Sequence, residues 1–214
     1  MRYFLMRVII VLAAFLICIR ANAQINIFNL SLSDSTKRIA YAGVENFLGI
    51  KGGKTNDNIK MFTSLGDLTK IDASNFILKV PMADSFFITV QRNGTQVLRE
   101  TFKSDVLNEP TLRLGGIKDS VASIQEILIN PFLHLFIPGS LYKKQFVVTG
   151  FNAIFISDDL DSLRTYSVGN LLSNEQQELT KKLKPGNKIL FDQIYAFGPD
   201  SRRRKFKSFI ITIR

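Results

Sequence analysis

From Lys37 to Lys103 apolar and polar residues alternate in short runs set off by turn residues. The runs "RIAYAGVENF", "NIKMF", "NFILKV", "FFITVQR" and "TQVLRETF" each carry the β-branched and aromatic side chains of one strand, with a two-residue period. The clearest join is Asn93-Gly94, between "FFITVQR" and "TQVLRETF", where a type I′ hairpin turn needs positive φ at both positions. No helical period competes in this stretch. The pattern predicts a small β-sandwich of immunoglobulin-like type over residues 37–103.

After the linker-like "KSDVLNEPT", a second β domain is expected over residues 105–214. "QFVVTGFNAIFIS" is long and apolar enough for a central strand with a bulge near Gly150, and "LRTYSV" alternates after the turn "DDLDS". One short helix follows. Ser173 and Gln176 have the spacing of a capping box, Leu179 and Leu183 share a face, and Pro185-Gly186 stops the helix. Lys181, Lys182 and Lys184 suit the negative end of its dipole. "NKILFDQIYAF" and "KFKSFIITI" then pair through "GPDSRR" as a C-terminal hairpin. The fold expected is mostly β, two small sandwiches in tandem, the second with that single helix before its hairpin.

The first 23 residues change the picture. Arg2 and Arg7 precede an apolar run from Val8 to Ile19, and Ala21 and Ala23 stand in A-x-A spacing before Gln24, which is the pattern of a cleaved secretory signal. Arg20 ends the run short of the roughly 18–20 residues a membrane anchor needs. The only cysteine, Cys18, lies inside this segment, so the mature chain has no disulfide, thiol nucleophile or thiolate metal site. Of 28 basic residues three are removed with the leader, leaving 25 against 18 acidic ones. That surplus of seven favours acidic partners kinetically. The most apolar later stretch, Ile127 to Gly139, is too short to span a bilayer and contains Pro131.

Chemistry-bearing patterns are few. "GIKGGKT" at Gly49–Thr55 has Leu48 where a phosphate-binding loop needs glycine, and reads as a glycine-lysine loop between strands. His134, the only histidine, has no second histidine for a zinc site and stands in an apolar strand. The three carboxylates of Ser157–Ser162 lack calcium-loop spacing and read as a solvated turn. No metal, cofactor or catalytic grouping is expected. Asn29-Leu-Ser31 and Asn93-Gly-Thr95 match glycosylation acceptors, although its turn accounts for Asn93. The densest basic cluster, Arg202, Arg203, Arg204 and Lys205, is either a solvated hairpin tip or a contact surface for an acidic protein or phosphate groups. No aromatic stacking platform accompanies it, which argues against nucleic acid.

Ordered glycine, proline and apolar positions carry a family resemblance. "YAGVENFLGI" at Tyr41–Ile50 resembles the first strand of the penultimate periplasmic domain of GldM and PorM, the gliding-motility and type IX secretion proteins. "VLNEPTLRLGG", with Glu109-Pro110 and Gly115-Gly116, resembles their linker into the last domain. Gly169-Asn170, the capped helix, Lys184-Pro185-Gly186, Ile194 and Gly198-Pro199-Asp200 are similar to the C-terminal domain. The likeness covers residues 38–214. It implies a periplasmic, non-enzymatic module, homodimeric like the family's shaft, that contacts an envelope protein of the secretion or motility machinery. Members keep an N-terminal transmembrane helix that couples to a motor. This chain has a leader in its place, so motor coupling does not carry over. The competing classes are an exported hydrolase using His134 or the Asp158–Asp161 turn, and a binder of anionic envelope ligands through the basic tip.

Overall fold

The computed structural model describes residues 24–52, 57–157 and 160–214. Residues 1–23, with the expected secretory signal and Cys18, residues 53–55 of the glycine-lysine loop, and the Asp158-Asp159 pair lie outside the described residues. The chain divides after Asp105 into two compact units.

In the first unit the two-residue period produces eight strands: β1 (Asn26–Asn29), β2 (Ile39–Tyr41), β3 (Glu45–Lys51), β4 (Ile59–Thr63), β5 (Asp67–Lys70), β6 (Asn75–Lys79), β7 (Ser85–Arg92) and β8 (Thr95–Asp105). They form two four-stranded sheets, ordered β1-β3-β6-β5 and β2-β8-β7-β4. In immunoglobulin lettering this is A-B-E-D against C-F-G, with β2 an added A′ strand parallel to β8. The sequence supplies no tryptophan, so phenylalanines fill the centre. Phe76, Phe86 and Phe102 are buried between the sheets with Ile27, Leu48 and Leu78, and the Phe86 and Phe102 rings lie 5.8 Å apart. Asn93 (φ 51°) and Gly94 (φ 85°) make the expected β7–β8 turn.

Three features depart from the sequence expectation. Strand β1 precedes Lys37 and pairs with β3, so this sandwich begins earlier than residue 37. Strand β5 is short and largely exposed, which leaves it little hydrophobic signature. "RIAYAGVENF" is two strands in different sheets, because the chain crosses over at Gly43, whose φ of 76° no strand residue adopts. Asn46, fully buried, holds that crossover: its Oδ1 accepts from the Tyr41 N–H at 2.8 Å and its Nδ2 donates to the Tyr41 carbonyl at 2.9 Å. Asn29 is also fully buried, and its Nδ2 donates to the Ile39 carbonyl at 2.7 Å. The folded chain therefore offers no glycosylation acceptor there.

The second unit contains β9 (Thr111–Leu114), β10 (Val121–Ala122), α1 (Ile124–Ile129), β11 (Leu133–Phe136), β12 (Val147–Ser157), β13 (Leu160–Val168), α2 (Asn174–Lys181), β14 (Lys188–Phe197), β15 (Arg203–Phe206) and β16 (Phe209–Ile213). Its main sheet runs β10-β16-β14-β12-β13, with β15 also on β14, and β9 pairs with β11 in a separate ribbon. One face of the sheet buries Phe151, Ala153, Phe155, Ile189, Phe191 and Ile194 in a core shared with Leu114 and Leu133 of the ribbon and Ile127 of α1. Strand β12 is an interior strand, paired on both sides, with register shifts on either side of Gly150 as its sequence predicts.

Helix α2 carries both reciprocal capping-box bonds, Gln176 N–H to Ser173 Oγ and Ser173 N–H to Gln176 Oε1, at 3.2 Å each. Leu183 is buried and Leu179 packs against the same core. A second helix, α1, corrects the expectation of one, and it too has a capping box, Ser123 with Glu126. The C-terminal arm pairs with β14 in two pieces, β15 and β16, separated at Lys207-Ser208, where Ser208 Oγ donates to Asp192 at 2.8 Å.

Candidate basic surface on the C-terminal hairpin

The tip that joins β14 to β15 is closed by two backbone bonds, Gly198 N–H to the Arg202 carbonyl and Ser201 N–H to the Gly198 carbonyl, each 2.9 Å. From there β15 alternates, and cross-strand partners share a face. Arg203 is opposite Phe197, Arg204 opposite Ala196, and Lys205 opposite Tyr195. Ala196 is buried, so Arg204 lies toward the core side, while Arg203 and Lys205 lie on the outer face.

This register divides the four predicted residues. Arg204 is engaged within the tip: its Nη1 and Nη2 donate to Asp200 Oδ1 and Oδ2 at 2.8 and 2.7 Å, a bidentate fork. The guanidinium also lies 5.7 Å from the Phe146 ring centre. The Arg204 hydrogen bond, joined by the Arg202 N–H and by the charge of both arginines, holds the Asp200 carboxyl at about 2, below its ordinary 3.8. The same bond pushes Arg204 up. Gly198 permits the fork, since a Cβ there would stand 2.3 Å from Arg204 Nη1.

Arg203 lies over the Tyr195 ring at 4.3 Å, a cation–π contact on the outer face. The Arg202 side chain is 83% exposed and reaches Asp200 only at 3.8 Å. The cluster is thus one arginine spent on the turn and three cations turned outward. Sequence spacing alone could not separate them, because the pairing with β14 decides the face.

The outer face around these cations is apolar. Val147, Phe197 and Arg203 form one cross-strand row, and Val168, Gly150, Tyr195 and Lys205 form the next. Val147 is 63% exposed and Val168 82%. Tyr166, also exposed, lies over Gly150, where a Cβ would stand 2.1 Å from its hydroxyl. The sequence reading missed this face. Its signal is the near-continuous apolar run of "QFVVTGFNAIFIS", which alternation cannot account for if one face is polar.

The remaining candidates are dispersed. His134 is exposed on β11, opposite Arg113, with Phe132 as its ring neighbour at 6.0 Å. Gly49 and Ile50 are strand residues of β3, paired on both sides or adjacent to the pairing, so this half of the glycine-lysine stretch is no phosphate loop. Among the described residues no group of three or more histidine, cysteine or acidic side chains is placed to hold a metal. A shallow depression of about 350 Å³ is lined by Gly116, Ile117, Glu126, Ile129 and Asn130. Its one carboxylate is committed: Glu126 accepts from the Ser123 backbone and hydroxyl and from Arg214, which together lower its pKa. Among the described residues no helix is long and apolar enough to cross a membrane.

No family model matches the chain, and no curated protein matches it. Solved structures similar to it include the adhesin InvE of Yersinia pseudotuberculosis, at 9% identity and TM-score 0.29, over 91% of this chain and 61% of that one. The fibronectin(III)-like modules of Clostridium thermocellum CbhA are 8% identical with TM-score 0.30, over 89% of this chain and 94% of that one. Invasin, a bacterial integrin-binding protein, is 13% identical with TM-score 0.28, over 89% of this chain and 40% of that one.

Proposed function

We propose that this protein is a non-enzymatic interaction module of the bacterial envelope, exported to the periplasm, and a stand-alone relative of the GldM and PorM C-terminal region that serves gliding-motility or type IX secretion machinery as an accessory part. The observation that carries the reading is the hairpin tip, where one arginine is locked into the turn by Asp200 while Arg202 in the turn and Arg203 and Lys205 on β15 are directed outward. Such an outward cluster, apart from the fork, adds little to stability, since exposed charges usually contribute no more than about 0.5 kcal/mol. It does supply long-range attraction for an acidic protein surface. Two glycines of the resemblance, Gly169 at φ 79° and Gly186 at φ 93°, are turn positions that ask for a backbone conformation and not for a chemistry. In this reading the module acts as a homodimer and takes no cofactor.

Crosslinking in intact cells followed by identification of the captured protein tests the role. Capture of an envelope protein of the motility or secretion apparatus supports it, and capture of none refutes it. Light scattering on the purified chain tests the dimer, which a monomer at about 50 µM, well above the micromolar affinities of weak interfaces, removes. The anionic-ligand alternative predicts that lipopolysaccharide vesicles compete with protein capture. The hydrolase alternative predicts loss of function in His134→Ala.

A further inference from the structure

An antiparallel sheet with one face on a core ordinarily turns polar side chains outward on the other. The second unit does not. Its inner face is covered by α1, α2 and the β9–β11 ribbon, while its outer face shows Val147, Tyr166, Val168 and Phe197 to solvent, with exposures of 44% or more in every case. These residues occupy adjacent cross-strand rows and not scattered positions. Contiguous exposed apolar surface of this kind marks contact sites, and tyrosine and arginine are the residue types that most often dominate them.

Charge selects the occupant. Arg203 and Lys205 stand at one end of the rows, and Arg164 is on β13 opposite Ile154. The acid among them, Asp192, is already served: Ser208 Oγ and the Gln193 N–H bond to it, Lys205 and Arg164 lie near enough to act on it, and its pKa is lowered. The face is therefore apolar in the rows of Val147 and Val168, polar at Asn152 and Asp192 in the row after them, and positive along β15 and at Arg164. A second copy docked on this face would bring Arg203, Lys205 and Arg164 against their like.

Resting on the interaction reading above, we propose that the outer face of β15, β14, β12 and β13 docks a segment of a partner protein that carries apolar side chains along one side and carboxylates beside them. The apolar side chains lie over Val147, Val168 and Phe197, and the carboxylates meet Arg203, Lys205 and Arg164.

The test uses the purified chain and synthetic peptides in matched pairs: phenylalanine alternating with glutamate, the same with lysine for glutamate, and the same with serine for phenylalanine. Backbone amide shifts and fluorescence anisotropy are the readouts. The phenylalanine–glutamate peptide is expected to shift amides of β12 to β15 and to bind at least about tenfold more tightly than either control. Val168→Asp, at a position 82% exposed, is expected to weaken it about tenfold with thermal unfolding unchanged. Arg203→Glu is expected to weaken it most at low salt. Equal binding of the lysine peptide, no saturable binding of the acidic one, shifts confined to other strands, or an inert Val168→Asp each overturn the proposal.

A photo-crosslinking residue at Val168 and another at Phe62, exposed on the first unit, separate this inference from the reading beneath it. Capture at Phe62 alone preserves an interaction module and removes this face. Capture of a second copy at Val168 also overturns the acidic partner. Capture at neither position removes both.

Discussion

Asp200→Asn removes the charge from the fork that shapes the basic tip while keeping its outline. In the folded chain the Asp200 carboxyl titrates at about 2, against an ordinary 3.8. That interval corresponds to an upper bound of roughly 2.5 kcal/mol. The Asp200 side chain is 15% exposed but that of Arg204 is 42% exposed, so water screens the pair and about 1 kcal/mol is expected at about pH 7. For a unit of this size that is a fall of about 4–8 °C in the Tm of the second unit. The pH dependence has a definite sign. A carboxyl whose folded pKa is depressed stabilises above its unfolded value, so the contribution is whole above about pH 4 and drains as pH falls through about 2. Thermal unfolding of the parent and Asp200→Asn across that range should give curves that converge in acid. Gly198→Ala, which drives a Cβ into the fork, should reproduce the neutral-pH loss. A parent-to-variant difference that persists undiminished at about pH 2, or an absence of any difference at about pH 7, refutes the assignment of Asp200 and Arg204 to the turn.

Asn46→Ala should cost about 2–3 kcal/mol in thermal unfolding of the first unit, because it removes both bonds that the buried Asn46 amide makes to the Tyr41 N–H and carbonyl at the sheet crossover. Gly66→Ala and Gly43→Ala share a positive φ, but only at Gly66 does a Cβ meet backbone, 2.1 Å from the Lys79 carbonyl oxygen. Denaturant unfolding should therefore show about 1 kcal/mol for Gly43→Ala and at least about 2 kcal/mol for Gly66→Ala. Ser173→Ala should lower stability by about 1–2 kcal/mol, and by more than Ser123→Ala, since Gln176, which the first box orients, is fully buried and accepts from Ser167 Oγ at 2.8 Å. Equal losses from the two serines, measured by the same unfolding curves, would count against the buried network.

Local chemistry was legible where a residue type has a single structural use. Asn93-Gly94 announced its turn, and Ser173 with Gln176 and Pro185-Gly186 bracketed α2. The same signal at Ser123 and Glu126 marks α1, but the apolar run around Pro131 masks it by extending through the helix into β11. What spacing does not contain is the sheet to which a strand belongs: nothing in "RIAYAGVENFL" apart from Gly43 tells that Ala40 and Leu48 face the core from opposite sheets.

The basic surface depends on still less visible events, two irregularities in facing strands. Strict alternation carried back from Phe155, Ala153 and Phe151 would bury Val147; the shift around Gly150 buries Val148 in its place and turns Val147 out. Carried forward from Ile189 and Phe191, it would bury Tyr195 and Phe197; the left-handed Gln193, at φ 48°, lets Ile194 and Ala196 take the core instead. A slip of one residue exchanges the faces of everything beyond it. Because β12 and β14 slip at neighbouring points, Val147, Tyr195 and Phe197 emerge together, and the ring that receives Arg203 is on the outside only for that reason. The surface is thus produced by the strand register. Restoring the β14 register by deleting Gln193 would return Tyr195 and Phe197 to the core and leave Arg203 without its ring.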